Sequence, residues 1–243
     1  MKGLVHRMSA IPIIIARLIG DDRFERAFLG DSGSQSRGEI DHAGLITSQN
    51  DAGKQREKNL AVILTSARLR YEFVTLKNVR SLWELMSAPH LREYQDVPRL
   101  SLDRFSERVR ARPPEFARGT VGRHEWLIRL LRESRPIGWV SVRTSQENPF
   151  SGELGYTILR KYRRKGYATE AVQALIEASF NAEILDKITA YCVPENAASR
   201  VLLKHLGLSE MRILPGAAVV RGRTVDIVLH EIDRMSWRKE KVG

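Results

Sequence analysis

The stretch from Leu154 to Phe180, LGYTILRKYRRKGYATEAVQALIEASF, restricts this chain more than any other. It opens with a run rich in β-branched and aromatic residues, Leu154 to Leu159, which predicts a strand. A basic, glycine-containing turn follows, from Arg160 to Ala168. Val172, Leu175, Ile176 and Phe180 then recur at the spacing of one buried helical face. Strand, basic turn and helix in this order can bind phosphate. The first amides of a helix have no internal partners, and the helix dipole favours an anion beside them.

Within the turn, Arg163, Arg164, Lys165, Gly166, Tyr167 and Ala168 spell Arg-x-x-Gly-x-Ala, with Thr169 next. This is neither a Walker loop nor the dinucleotide Gly-x-Gly-x-x-Gly pattern. Gly166 lets the backbone approach a ligand closely, and Ala168 leaves the next amide uncovered. By itself the hexamer is equally an ordinary β–α connection with a solvated basic face. It resembles the acetyl-CoA loop of the GNAT superfamily of N-acetyltransferases, whose pattern is Gln/Arg-x-x-Gly-x-Gly/Ala. The resemblance implies that the amides of this loop hold the CoA pyrophosphate.

At 243 residues the chain can bury one sizeable core and carry an appendage. Residues 1–58 read as that appendage. Ile11 to Ile19 is apolar but interrupted by Arg17, and no clean small-residue cleavage site follows, which argues against a targeting segment. Asp31 to Gln55 is rich in Gly, Ser, Asp and Gln and reads as a linker or a disordered segment. The main domain is expected from about Asn59 to the end, residues 59–243. No apolar run approaches the roughly 20 residues of a membrane span. The single cysteine, Cys192, leaves no internal disulfide and suits a reducing cytoplasm.

The net charge of +11 is unevenly placed. Residues 59–243 hold 31 of the 40 Lys/Arg and 21 of the 29 Asp/Glu, a net of +10. The basic character therefore belongs to the part with the phosphate-like loop. A polyanionic cofactor would be attracted there, and so would nucleic acid or an acidic protein.

Patterning predicts the remaining elements. Arg68 to Leu76 is a strand, and Asn78 to Met86 is a short helix with Val79, Leu82, Trp83 and Met86 on one side, stopped by Pro89. Ser101 can cap a helix through Arg110, stopped by Pro113. His124 to Leu131 and Ile137 to Val142 pair as a hairpin. After the central stretch, Lys187 to Val193 is a strand. Asn196 can cap a helix with Val201, Leu202 and Leu206 on its apolar side and Gly207 just past its end. Ser209 to Leu214 and Thr224 to His230 close the order around a connecting segment, Pro215 to Gly222.

Strand, two helices, three strands, helix, strand, helix, two strands is an α/β (α+β) order. It resembles the GNAT acyl-CoA N-acyltransferase fold from about Leu64 to about Trp237. That fold is a mixed, largely antiparallel sheet flanked by helices and splayed at its central strands. Within the family the chain is most similar to the RimJ/RimL-like group, which acetylates ribosomal-protein N-termini. RLRYEFVTL, ELGYTI, GYATEA and PENAASRVLLKHLGL stand at the expected places, and Asp226 in TVDIVLH also fits. Arg164 stands where the group often has glycine, and Leu208 where it often has phenylalanine.

The chemistry this implies is attack of a neutral amine on a thioester carbonyl, with donors for the oxyanion and a proton for the departing thiolate. The resemblance points to backbone of the Leu154 to Leu159 segment as an oxyanion donor, and to Ile158 and Leu159 for the pantetheine amides. Glu153 reads as the general base or as a solvated strand-end glutamate. Ser199 reads as a donor to the sulfur or as plain helix capping. Asn196 is carried over as a pantetheine partner, with capping as its other role. Arg200 reads as an aid to the CoA phosphates or as a solvated helix arginine. Cys192 reads as packing, His124, His205 and His230 lack metal-ligand spacing, and Trp83 and Trp139 read as core.

The expected function is acetyl transfer from acetyl-CoA to a primary amine, foremost a protein N-terminal α-amine, without metal, by a monomer or homodimer. Transfer to a polyamine or antibiotic amine is the alternative acceptor class. Two readings of other classes stand beside it: a catalytically inactive CoA-binding sensor, and a basic nucleic-acid-binding module, which charge alone supports.

Overall fold

Side-chain periods of two and of 3.6 alternate along this chain, and the elements follow them. The structure is a computed structural model and describes residues 64–88 and 100–242. The expected extension, residues 1–58, the boundary near Asn59 and the stop at Pro89 lie outside the described residues. In chain order the elements are β1 (Leu69–Phe73), α1 (Val79–Met86), α2 (Leu102–Arg110), β2 (Gly122–Leu130), β3 (Pro136–Thr144) and β4 (Ser151–Ile158). A 3₁₀ turn, Arg160–Tyr162, leads into α3 (Tyr167–Asn181), then β5 (Lys187–Cys192), α4 (Ala197–His205), β6 (Ser209–Val220), β7 (Arg223–Asp233) and α5 (Arg234–Val242).

The strands form one seven-stranded sheet in the order β1-β2-β3-β4-β5-β7-β6. Each neighbouring pair is antiparallel except β4 and β5, which are parallel because α3 crosses between them. This is the mixed, largely antiparallel sheet with flanking helices that the sequence predicts.

Alternation along the strands divides the core between the two sheet faces. On one face Trp126, Ile128, Val140, Val142, Leu154 and Ile158 pack with Val172, Leu175, Ile176 and Phe180 of α3. On the other, Leu127 and Trp139 pack with Val79, Leu82 and Leu85 of α1 and Phe105 and Val109 of α2. Trp83 is only partly buried, and its indole Nε1 donates to the Leu100 carbonyl at 2.8 Å. Leu82 is fully buried, and truncating such a side chain to alanine costs about 2–5 kcal/mol.

Local signals place several ends. Ser101 caps α2 by accepting from the Arg104 amide, as its position before an amphipathic run implies. Gly207 follows α4 with φ of 84°, the left-handed conformation that ends a helix.

Three expectations need correction. The buried face of α4 centres on Leu203, whereas Val201 is 69% exposed, because the helix lies rotated relative to the side inferred from spacing. Pro215 and Gly216 do not end β6: a register shift between Leu214 and Ala218 absorbs them, and Asp226 accepts from the Gly216 amide at 2.9 Å. A further helix, α5, follows β7, and its Trp237 packs on Phe180 with ring centroids 5.4 Å apart.

Candidate active site

The sheet opens at its centre. β4 and β5 pair from Ser151↔Lys187 to Leu154↔Ala190 and no further, although β4 continues to Ile158 and β5 to Cys192. On its other side β4 stays paired with β3 as far as Ile158. The Leu159 amide then donates to the Ile137 carbonyl at 2.8 Å, toward β3. Successive amides of a strand point to opposite sides, so those of Tyr156 and Ile158 point into the opening. Leu159 is therefore not brought to this edge. Its amide is engaged and its side chain packs on the α1–α2 side of the sheet.

The opening leads into a cleft of about 870 Å³. Tyr156, Thr157 and Ile158 line it from β4, Cys192 from the end of β5 with Val193 just after it, and Ser199 from the first turn of α4 with Asn196 just before it. Arg163, Arg164, Gly166, Tyr167, Ala168 and Thr169 line its basic end.

That end has the local structure a phosphate would require. Gly166 precedes α3 with φ of 78°, and no side chain caps the helix. The first helical hydrogen bond runs from the Glu170 amide to the Gly166 carbonyl at 3.0 Å. The amides of Tyr167, Ala168 and Thr169 thus have no partner within the helix, and the dipole adds partial positive charge there. Arg164 also adopts a left-handed φ, 61°, which a glycine would hold without the usual ~1–2 kcal/mol cost. The residues fit a polyanionic pyrophosphate by backbone donors and charge together. Arg163 turns back onto the strand, its Nε donating to the Ile158 carbonyl at 3.2 Å. Lys165 is not part of the lining; its carbonyl accepts from Arg68 Nη1 at 3.0 Å.

Arg68 was not foreseen from the sequence as part of the site. Its backbone amide and its Nε donate to the two carboxylate oxygens of Glu170, at 2.7 and 2.6 Å, and its guanidinium stacks 4.7 Å from the Tyr167 ring centroid. Burial raises the Glu170 pKa, but bonds from the Arg68 amide, Ser66 and the Arg68 guanidinium outweigh it and hold the carboxyl below its usual range. No local pattern signals a contact between residues 102 positions apart.

At the other end of the cleft, Asn196 Oδ1 accepts from the Ser199 amide at 3.2 Å and caps α4. This orders the Asn196 side chain and the Ser199 backbone at the cleft wall. Cys192 is buried, and desolvation pushes its thiol up to about 11, so it is neutral near neutral pH. Arg200 points elsewhere: it pairs with Glu210 at 2.9 Å on the exposed side of α4 and is not part of the lining. The solvated-arginine reading is the one its position supports. Tyr156, which the sequence offered only as an aromatic strand residue, stands in the cleft with its hydroxyl buried.

Glu153 lies within β4 rather than before it, on the sheet face opposite Leu154 and outside the cleft lining. Its cross-strand neighbours are Arg143 and Thr189, and its Oε1 is buried. On the same face Glu125 is buried between Arg112 and Arg123. Burial raises the Glu125 pKa, but the two guanidinium groups outweigh it and hold it ionised.

Comparison with known proteins agrees with this architecture. The acetyltransferase (GNAT) domain family matches residues 68–209, more than half of the chain. "Uncharacterized N-acetyltransferase p20" of Bacillus licheniformis is 25% identical over 170 residues, which is 70% of this chain and 94% of the relative. Among solved structures, the ribosomal alpha-N-protein acetyltransferase RimL in complex with coenzyme A superposes with a TM-score of 0.62 at 17% identity, covering 72% of this chain and 98% of that one. Spermidine N-acetyltransferase from Vibrio cholerae, in complex with CoA and spermine, gives 0.63 at 19%, covering 71% and 99%. With the family match over β1 to β5, the glycine-opened α3 and most of the splayed cleft, this chain belongs to the GNAT family of acetyl-CoA-dependent N-acetyltransferases.

Proposed function

We propose that this protein transfers the acetyl group of acetyl-CoA directly to a primary amine, with a protein N-terminal α-amine as acceptor. One observation supports it above others: the uncapped, glycine-opened N-terminus of α3 faces the same cleft as the unpaired edge of β4. Acetyl-CoA would supply the activated thioester. The amides of Tyr167, Ala168 and Thr169, with Arg164, would hold its pyrophosphate. The Tyr156 and Ile158 amides would meet the pantetheine arm and the thioester oxygen, and Asn196 and Ser199 would stand at its sulfur end. Glu153, on the face opposite α3, would take the amine proton, through water where the acceptor does not reach it. The acetyltransferase unit would be residues 59–243, in a cytoplasmic protein.

The protein N-terminus is favoured by the motifs shared with the RimJ/RimL-like group and by the fold shared with RimL. The fold shared with spermidine N-acetyltransferase supports a polyamine as the second reading. Acetyl transfer measured over N-terminal peptides, polyamines and aminoglycosides decides between them. Peptide turnover well above that of spermidine is expected, and the reverse order would install the polyamine reading. A thermal shift with CoA but no turnover on any amine would leave a CoA-binding sensor. A shift with a short duplex and none with CoA would favour the nucleic-acid module.

A further inference from the structure

Tyr156 combines three features that its place in a strand does not require. Its ring packs against the main core, yet the residue lines the cleft beside Cys192, Asn196 and Ser199. It stands where β4 has lost β5: the parallel register ends at Leu154↔Ala190, so two residues further along Tyr156 comes opposite Cys192 across the opening. Its hydroxyl is buried and interacts with the Ser199 side chain, but has no hydrogen bond of full geometry among the described residues.

A buried hydroxyl without a satisfied donor is costly, and such groups are kept where a ligand completes them. The Ser199 amide is held by the Asn196 cap, which fixes the serine backbone at the cleft wall. We propose that Tyr156 is a positioning residue for the leaving sulfur: its hydroxyl donates to Ser199 Oγ, which turns the serine hydrogen toward the CoA sulfur. This inference rests on the acetyl-CoA reading of the cleft and deepens it. A serine hydroxyl alone can point its hydrogen several ways, and a donor behind its oxygen leaves only the outward direction favourable. Both hydroxyls act as hydrogen-bond donors, and the bonds strengthen as negative charge collects on sulfur.

Desolvation raises the Tyr156 hydroxyl to about 12, although Ser199 opposes this, so it remains a donor across the working pH range. The neighbouring Cys192 thiol is likewise neutral and adds no charge that would repel a thiolate.

The test is the pKa of the thiol of bound CoA, read from thiolate absorbance in the full-length protein's CoA complex minus its desulfo-CoA complex. Tyr156→Phe, Ser199→Ala, the double variant and Ser199→Thr are compared with the wild type. Tyr156→Phe should raise the bound-thiol pKa by about one pH unit and lower kcat about tenfold, the scale of one hydrogen bond to a charged group. CoA affinity at low pH, where the thiol is neutral, should change little, and so should the affinity for acetyl-CoA, whose acylated sulfur does not titrate. In the Ser199→Ala background the tyrosine substitution should add nothing, and Ser199→Thr, which keeps the hydroxyl, should stay near the wild-type value. An unchanged bound-thiol pKa in Tyr156→Phe overturns the inference, as does a full additive effect on Ser199→Ala. If Tyr156→Phe fails to fold, a Ser199→Ala thiol pKa equal to that of the wild type overturns it instead. A wild type that does not bind CoA overturns the acetyl-CoA reading itself, which is a different result.

Discussion

Arg68, immediately before β1, donates through Nε to the Glu170 carboxylate in the first turn of α3 at 2.6 Å, and through Nη1 to the Lys165 carbonyl at 3.0 Å. The two bonds fix the end of the phosphate-like loop to the start of the helix that follows it. Arg68→Met should raise KM for acetyl-CoA about three- to tenfold and leave kcat within about twofold, since a half-exposed ion pair contributes on the order of 1 kcal/mol. Steady-state kinetics at varied acetyl-CoA checks this. An equal fall in kcat with no change in KM would place the effect on the chemical step and exclude a loop clasp.

Gly166 holds φ of 78° at the N-terminus of α3, and a Cβ there would lie 3.2 Å from Arg68 Nη2. Valine should lower the melting temperature, at a cost of about 1–2 kcal/mol for a branched residue in left-handed backbone. It should also weaken acetyl-CoA binding by about tenfold or more, because each amide bond to a charged group contributes about 1.5–3 kcal/mol. Calorimetry separates the two effects. Gly166→Val binding as tightly as wild type would mean the pyrophosphate sits elsewhere.

Cys192 and Ser199 share one wall of the cleft but have opposite expectations. Burial keeps the Cys192 thiol neutral, its pKa up to about 11, so Cys192→Ala should retain turnover, with any loss matched by lost thermal stability. Ser199→Ala should lower kcat by about tenfold while CoA affinity changes much less, because its donor bond is strongest as the thiolate forms. Initial rates with an identified acceptor amine, together with CoA titrations, settle both.

Glu153 stands on the sheet face opposite α3, with one carboxylate oxygen buried. If it takes the amine proton, Glu153→Gln should lower kcat/KM and flatten the acidic limb of its pH profile, because glutamine cannot titrate. A variant that keeps the wild-type limb would assign that limb to another group or to the acceptor.

His124 is fully buried between the rings of Phe73 and Phe116, and Thr120 Oγ1 lies 3.4 Å from its Nε2. Desolvation, and then repulsion from Arg112, push its pKa from 6.5 down to about 4. The unfolded chain therefore binds a proton that the folded chain refuses between these values. The stability from neutral His124 is complete above pH 6.5 and is lost as pH falls toward 4, by up to about 1.4 kcal/mol per pH unit. Urea unfolding at pH 7 and at pH 4.5 should show a smaller drop for His124→Gln than for the wild type. Equal drops would remove His124 as a source of acid sensitivity.

Interactions within about four residues were legible in the sequence. Alternating residues marked the strands, and the spacing of Val172, Leu175, Ile176 and Phe180 marked the buried side of α3. The caps at Ser101 and Asn196 are set by a side chain and an amide three positions on, and Gly166 by its own backbone freedom. Contacts across the sheet were not legible, because they depend on strand register and on where distant segments end. Register turned the Leu159 amide toward Ile137 and away from the opening, and the end of β4–β5 pairing brought Tyr156 to Ser199. The packing of α4 through Leu203 exposed Val201 and sent Arg200 to Glu210. The clasp of Arg68 on Glu170 formed only because β1 and α3 meet in the folded sheet. The sequence alone determined the order of elements and the chemistry of the loop, since both are written in neighbouring residues. The tertiary structure decided which of those residues share the cleft, since that depends on side-chain direction between segments far apart in the chain.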